Sequence, residues 1–111
     1  MTTADESPNN VLSNKQIKYL RGLGHKLSPL VLVGKEGLSK SLVAALDTEL
    51  DNHELIKVKI GNNSDVDKKQ AANFLPQATS SILVQLIGKT LLLYRKNPKR
   101  AKEKRICLPK T

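Results

Sequence analysis

Between Leu12 and Arg95 the apolar residues change their spacing again and again, from every third or fourth position to every position or every second one. That switching restricts the fold more than any other feature of the chain, because a helix buries a 3.6-residue stripe and a strand buries alternate residues. Ser13 with Gln16 three residues on is a capping-box signature, and Ile17, Leu20, Leu23 and Leu27 follow near one helical face. These predict a first helix from Asn14 to about Gly24. Pro29 breaks it, and Leu30-Val31-Leu32-Val33 is an unbroken apolar run that predicts a short strand buried on both faces in mid-sheet. Leu42, Val43, Leu46 and Leu50 recur at helical spacing and predict a second helix from near Ser39 to near Asn52.

Ile56, Val58 and Ile60 alternate with Lys57 and Lys59, so the second strand turns one face to the core and sets two lysines on the other. Ser64 with Asp67 repeats the capping signal before Val66, Gln70, Ala71, Phe74 and Leu75, a third helix that Pro76 is expected to interrupt. Ile82 to Ile87 and Thr90 to Arg95 are apolar runs joined by Gly88-Lys89, the pattern of a hairpin with glycine first in a two-residue turn. The order is αβαβαββ: an α/β (α+β) domain with three helices on a four-stranded mixed sheet, held to right-handed βαβ crossovers.

Around that domain, at residues 12–95, the composition shifts. Residues 1–11 are polar, with Asp5 and Glu6 unbalanced by any cation, and read as a disordered lead. Residues 96–111 carry seven basic side chains against Glu103 and read as a basic tail, either a solubilising charge run or an arm that orders on structured RNA. The whole chain of 111 residues has 19 Lys and Arg against 10 Asp and Glu, a formal charge of +9. Such a surplus points to a polyanionic partner.

Other classes lose support from the same residues. No apolar run reaches the ~20 residues of a membrane span, and the N-terminal residues lack the basic-then-apolar design of a signal peptide, so a cytoplasmic protein without membrane contact is expected. Cys107 is alone, and with His25 and His53 it makes no zinc spacing, so neither disulfide, metal nor other cofactor is expected. Gly88-Lys89-Thr90 resembles the end of a P-loop, but Leu83 stands where that motif needs glycine and a strand follows it. Asp47 and Asp51, with Glu49 near them, read as a solvated helix face rather than paired catalytic carboxylates, and no nucleophile accompanies them. A non-enzymatic, monomeric protein without a small-molecule substrate is the expectation.

The remaining candidates concern phosphate. Gly34-Lys35-Glu36-Gly37 lies between a strand end and a helix start, where unpaired N–H groups and the helix dipole favour an anion; a plain tight βα turn is the alternative. Lys15, Lys18, His25 and Lys26 lie opposite Leu20 on the first helix, with Arg21 at the margin. Only Tyr19, Phe74 and Tyr94 are aromatic, too few for a sheet that stacks bases. Contact through lysine and arginine to phosphate and shape remains, and it implies steep salt dependence.

Five blocks then accumulate into a likeness: Leu12 to Gln16, Arg21 to His25, Val31 to Leu38, His53 to Lys59 and Gln85 to Arg95. In order and spacing they resemble the CRM domain, the chloroplast RNA splicing and ribosome maturation domain, most of all its free-standing bacterial YhbY type. The resemblance implies a fold similar to the C-terminal domain of translation initiation factor three. It also implies an RNA-binding protein that contacts rRNA of large-subunit precursors in ribosome assembly. The RNA-binding surface it implies is Gly34, Lys35, Glu36 and Gly37 with the lysines of the first helix. Lys40, Lys57, Lys59, Lys89 and Arg95 are the further cations expected to extend the footprint. An alternative function is a basic interaction module for acidic protein partners, with RNA affinity incidental.

Overall fold

The computed structural model describes residues 12–110, so the expected N-terminal lead lies outside the described residues. Helix α1 (Asn14–Gly24) opens on a reciprocal capping box: Ser13 Oγ accepts the Gln16 N–H at 3.1 Å, and Gln16 Oε1 accepts the Ser13 N–H at 3.0 Å. Helix α2 (Lys40–His53) is capped by Ser39, whose Oγ accepts the Leu42 N–H at 3.1 Å. Helix α3 (Lys68–Thr79) corrects the reading twice. Its cap is Asp67, whose carboxylate accepts from Lys69 and Gln70 at 3.0 and 3.3 Å, while Ser64 closes a local turn onto Val66. A carboxylate outdoes a hydroxyl at the positive end of a helix. Nor does Pro76 interrupt α3, which runs on to Thr79. Proline already holds helical φ, and burial of Leu75 and Thr79 on either side of it keeps the last turn seated on the core. Phe74, one of the residues that trace this helix in the sequence, is 40% exposed.

Strands β1 (Pro29–Val33), β2 (Leu55–Ile60), β3 (Ile82–Ile87) and β4 (Thr90–Tyr94) form one sheet in the order β1-β2-β4-β3. β1 is parallel to β2 across the α2 crossover, and the other two pairings are antiparallel. The β3–β4 turn has Gly88 at φ +56° and Lys89 at negative φ, the expected hairpin. The placement of β1 differs from expectation. It is an edge strand, with Val31 and Val33 buried against the α2 side while Leu30 and Leu32 are 49% and 61% exposed. An unbroken apolar run reads as a doubly covered strand, but α1 packs on β2, β3 and β4, and Leu30 and Leu32 stay exposed on that face.

The two faces of the sheet carry separate cores. On one, Leu42, Leu46 and Leu50 of α2 and Ala71 and Leu75 of α3 pack onto the inward residues of all four strands. On the other, Leu20 of α1 packs with Leu55, Val84, Leu92 and Tyr94. Of the four leucine and isoleucine positions expected to seat α1, only Leu20 is fully buried, and Leu23 and Leu27 are each 37% exposed. Gly24 takes over the contact, lying so close that a Cβ there would stand 2.6 Å from Leu92 Cδ2.

The basic tail is folded onto the domain. Ile106 and Leu108 pack against the α1-side core, and Gln16 Nε2 donates to the Pro109 carbonyl at 3.0 Å. The tie is Glu54, 1% exposed, whose carboxylate accepts the N–H groups of Asn97 and Ile106 at 2.7 Å each. Arg100 Nη1 stands 3.4 Å away. A buried carboxylate needs donors of this kind to be tolerated. Its neighbour Tyr94 responds: burial first, and then the Glu54 charge, push the phenol up to about 12.

Candidate nucleic-acid interface

The loop Gly34–Gly37 joins β1 to α2 and is closed by a hydrogen bond from the Gly37 N–H to the Gly34 carbonyl at 3.1 Å. Gly37 sits at φ +68°, and a Cβ there would also stand 3.2 Å from Val66 Cγ2, so glycine is the residue that fits. Lys35 and Glu36 are exposed at the tip. Beneath them a shallow groove of about 470 Å³ runs along Leu32, Gly34, Gly37, Ser39, Ser41 and Ala45 to the start of α2, where Lys40 is exposed.

Two further turns meet this loop at the same end of the sheet. The Gly61 N–H donates to the Val33 carbonyl at 2.9 Å, and the Ile60 N–H donates to the Lys89 carbonyl at 2.8 Å. The ladder thereby brings the ends of β1 and β2 and the β3–β4 turn side by side. Lys59 pairs with Leu32 on one side and Thr90 on the other, and Lys57 pairs with Pro29 and Leu92. Both lysines belong to the α1 face of the sheet, Lys59 exposed and Lys57 half-buried.

Helix α1 runs from the tail, where Gln16 meets Pro109, toward the middle of this face, where Gly24 meets Leu92. His25 and Lys26, exposed just past its end, therefore adjoin the strand lysines, and His25 shares a cavity with Lys57, Gln85, Ile87, Thr90 and Leu92. Lys15, Lys18 and Arg21 are exposed along the helix itself, with Lys15 nearest the tail. The structure thus gathers Gly34 to Gly37, Lys40, Lys59 and Lys89 at one end of the sheet, with Lys57, His25 and Lys26 next to them. Lys15, Lys18 and Arg21 lead away from it.

Arg95 is placed elsewhere. Its Nη1 donates to Asp47 Oδ1 at 2.8 Å and to the Thr79 carbonyl at 2.7 Å, and its Nη2 donates to Asp51 Oδ1 at 2.9 Å and to the Asp47 carbonyl at 3.0 Å. This guanidinium binds α2 to the end of α3 through four of its five N–H groups. Asp47 and Asp51, expected to be merely solvated, are its partners. The i,i+4 spacing that placed both acids on one helix face also fits them to a fork, but the fork arrives from 44 residues away in sequence. Sequence reasoning also passed over Glu54 and Gln85. Gln85 did leave a signal, as the one polar residue in the run Ile82 to Ile87. Among the described residues no group of three or more His, Cys, Asp or Glu side chains could hold a metal ion.

Residues 12–95 match the family described as the CRS1 / YhbY (CRM) domain. An RNA-binding protein of Haemophilus influenzae is 38% identical over 89% of this chain and 96% of its own. A protein of Bacillus subtilis, named a probable RNA-binding protein, is 36% identical over 89% of this chain and all of its own. The solution structure of a hypothetical protein from Staphylococcus aureus superposes with a TM-score of 0.72 at 42% identity, covering 89% of this chain and 100% of that one.

Proposed function

The chain belongs to the CRS1 / YhbY (CRM) domain family, and from that premise we propose that it is a non-enzymatic RNA-binding protein that grips RNA backbone at the Gly34–Gly37 end of its sheet. The observation that carries this reading is the convergence of three turns at one end of the sheet, with Lys35, Lys40, Lys59 and Lys89 exposed around them. Glycines let a phosphate come close to backbone N–H groups, the N-terminus of α2 adds its dipole, and the lysines supply the long-range attraction. Contacts of this type fix position on the RNA without reading sequence. The relatives named as RNA-binding proteins in Haemophilus influenzae and Bacillus subtilis support the partner class.

The RNA is proposed to be rRNA in precursors of the large ribosomal subunit, bound by a cytoplasmic monomer acting in ribosome assembly. Crosslinking the protein in cells and sequencing the attached RNA tests this. Enrichment of large-subunit rRNA precursors is the expected result; enrichment of messenger RNA, or recovery of no RNA, would overturn it.

A further inference from the structure

Between the end of α1 and the sheet lies a cavity of about 220 Å³ lined by His25, Lys57, Gln85, Ile87, Thr90 and Leu92. It is smaller than the roughly 300 Å³ at which drug-sized pockets begin, and so suits one small ring. Leu92 and Ile87 give it apolar walls, and Ile87 is 59% exposed, an open surface rather than a finished core. The polar groups converge from α1, β2, β3 and β4. Gln85, Thr90 and Lys57 are each half-buried residues, and none makes a side-chain hydrogen bond or ion pair among the described residues. No carboxylate lines the cavity. Half-buried polar groups without partners beside apolar walls are the makings of a ligand site.

Resting on the RNA-binding reading above, we infer that this cavity receives one unpaired nucleobase of the bound RNA. From Thr90 the ladder crosses Lys59 to reach Leu32, two strand spacings or about 10 Å, and Gly34 follows two residues later. A strand whose backbone is held at the glycine loop therefore passes over exposed Leu32 and Lys59 and brings a nearby base to the cavity. The ring lies against Leu92 and Ile87 and beside His25, and its edge meets Gln85, Thr90 and Lys57. Lys57 can only donate, which favours a carbonyl-bearing edge such as that of uracil. The RNA segment held there is single-stranded, since a base within a duplex cannot enter.

The test uses fluorescence anisotropy with three probes: decauridine RNA, an abasic ribose-phosphate strand of equal length and charge, and an RNA duplex. The intact protein is expected to bind decauridine roughly tenfold more tightly than the abasic strand. Gln85→Leu with Thr90→Val, near-isosteric changes at groups that hold nothing in the fold, is expected to bring decauridine to the abasic level and leave the abasic strand and the duplex unchanged. Equal affinity of the intact protein for both strands would overturn the cavity reading, as would a double variant that weakens all probes alike or none. Binding of the duplex in a salt-dependent manner alongside any of those results leaves the RNA reading standing. Failure to bind all three probes removes the RNA reading itself.

Discussion

Replacing Glu54 with glutamine loosens the tail where a buried carboxylate holds it. The carboxylate, on a residue 1% exposed, accepts two backbone N–H groups at 2.7 Å and faces Arg100. Glutamine keeps the volume but has one oxygen, and its NH2 group would meet one of those two amides donor to donor. The variant therefore loses one charge-assisted hydrogen bond, about 1.5–3 kcal/mol, and strands a buried N–H, about 1–3 kcal/mol more. A total near 3 kcal/mol corresponds to a fall in Tm of about 10 °C or more for a chain of this size. Ile106 and Leu108 would leave the α1-side core first, since Asn97 and Ile106 depend on this side chain directly. Thermal unfolding measures the total, and amide hydrogen exchange locates it. Exchange at Asn97 and Ile106 should accelerate well beyond that at Leu91 or Leu93 in the main core. Unchanged exchange at both amides, with an unchanged Tm, would refute the claim that Glu54 holds the tail.

Two more perturbations separate structural charges from the proposed interface. Arg95→Lys leaves the charge but cannot span Asp47, Asp51 and the Thr79 carbonyl together, so chemical denaturation should show a loss of about 2 kcal/mol while RNA affinity below the melting range stays at the level of the intact protein. A weakened affinity with unchanged stability would return Arg95 to the RNA surface. Tyr94 predicts an alkaline response. Its phenol holds its proton more tightly folded than unfolded, so the stabilisation is whole below pH 10 and is lost as pH rises through about 12. The difference in unfolding free energy between intact protein and Tyr94→Phe should therefore change by on the order of 2 kcal/mol across that window, and parallel pH profiles would contradict it.

Much of the fold was legible because its signals are local. The Ser13 and Gln16 box, the alternation of Ile56 to Ile60 and the Gly88-Lys89 turn each involve residues a few positions apart, and each forms as the pattern predicts. What escaped reading depends on distance along the chain. β1 looks doubly buried in sequence, and only the limited reach of α1 leaves Leu30 and Leu32 outside. Glu54 meets partners 43 and 52 residues away, and nothing in its neighbours announces a buried carboxylate. The glycine loop could be picked out at once, while the way the ladder sets it beside Lys59 and Lys89 required the sheet order.

A hold on RNA phosphate by exposed lysine and the glycine-lined turn at Gly34 to Gly37 underlies the proposed function. Its most direct test is the affinity of intact protein and Lys35→Glu for one RNA across a salt series, with circular dichroism confirming equal folding. Weaker binding by the variant at low salt is expected, with a log–log salt slope shallower by about 1. Superimposable affinities and slopes at every salt concentration would contradict it.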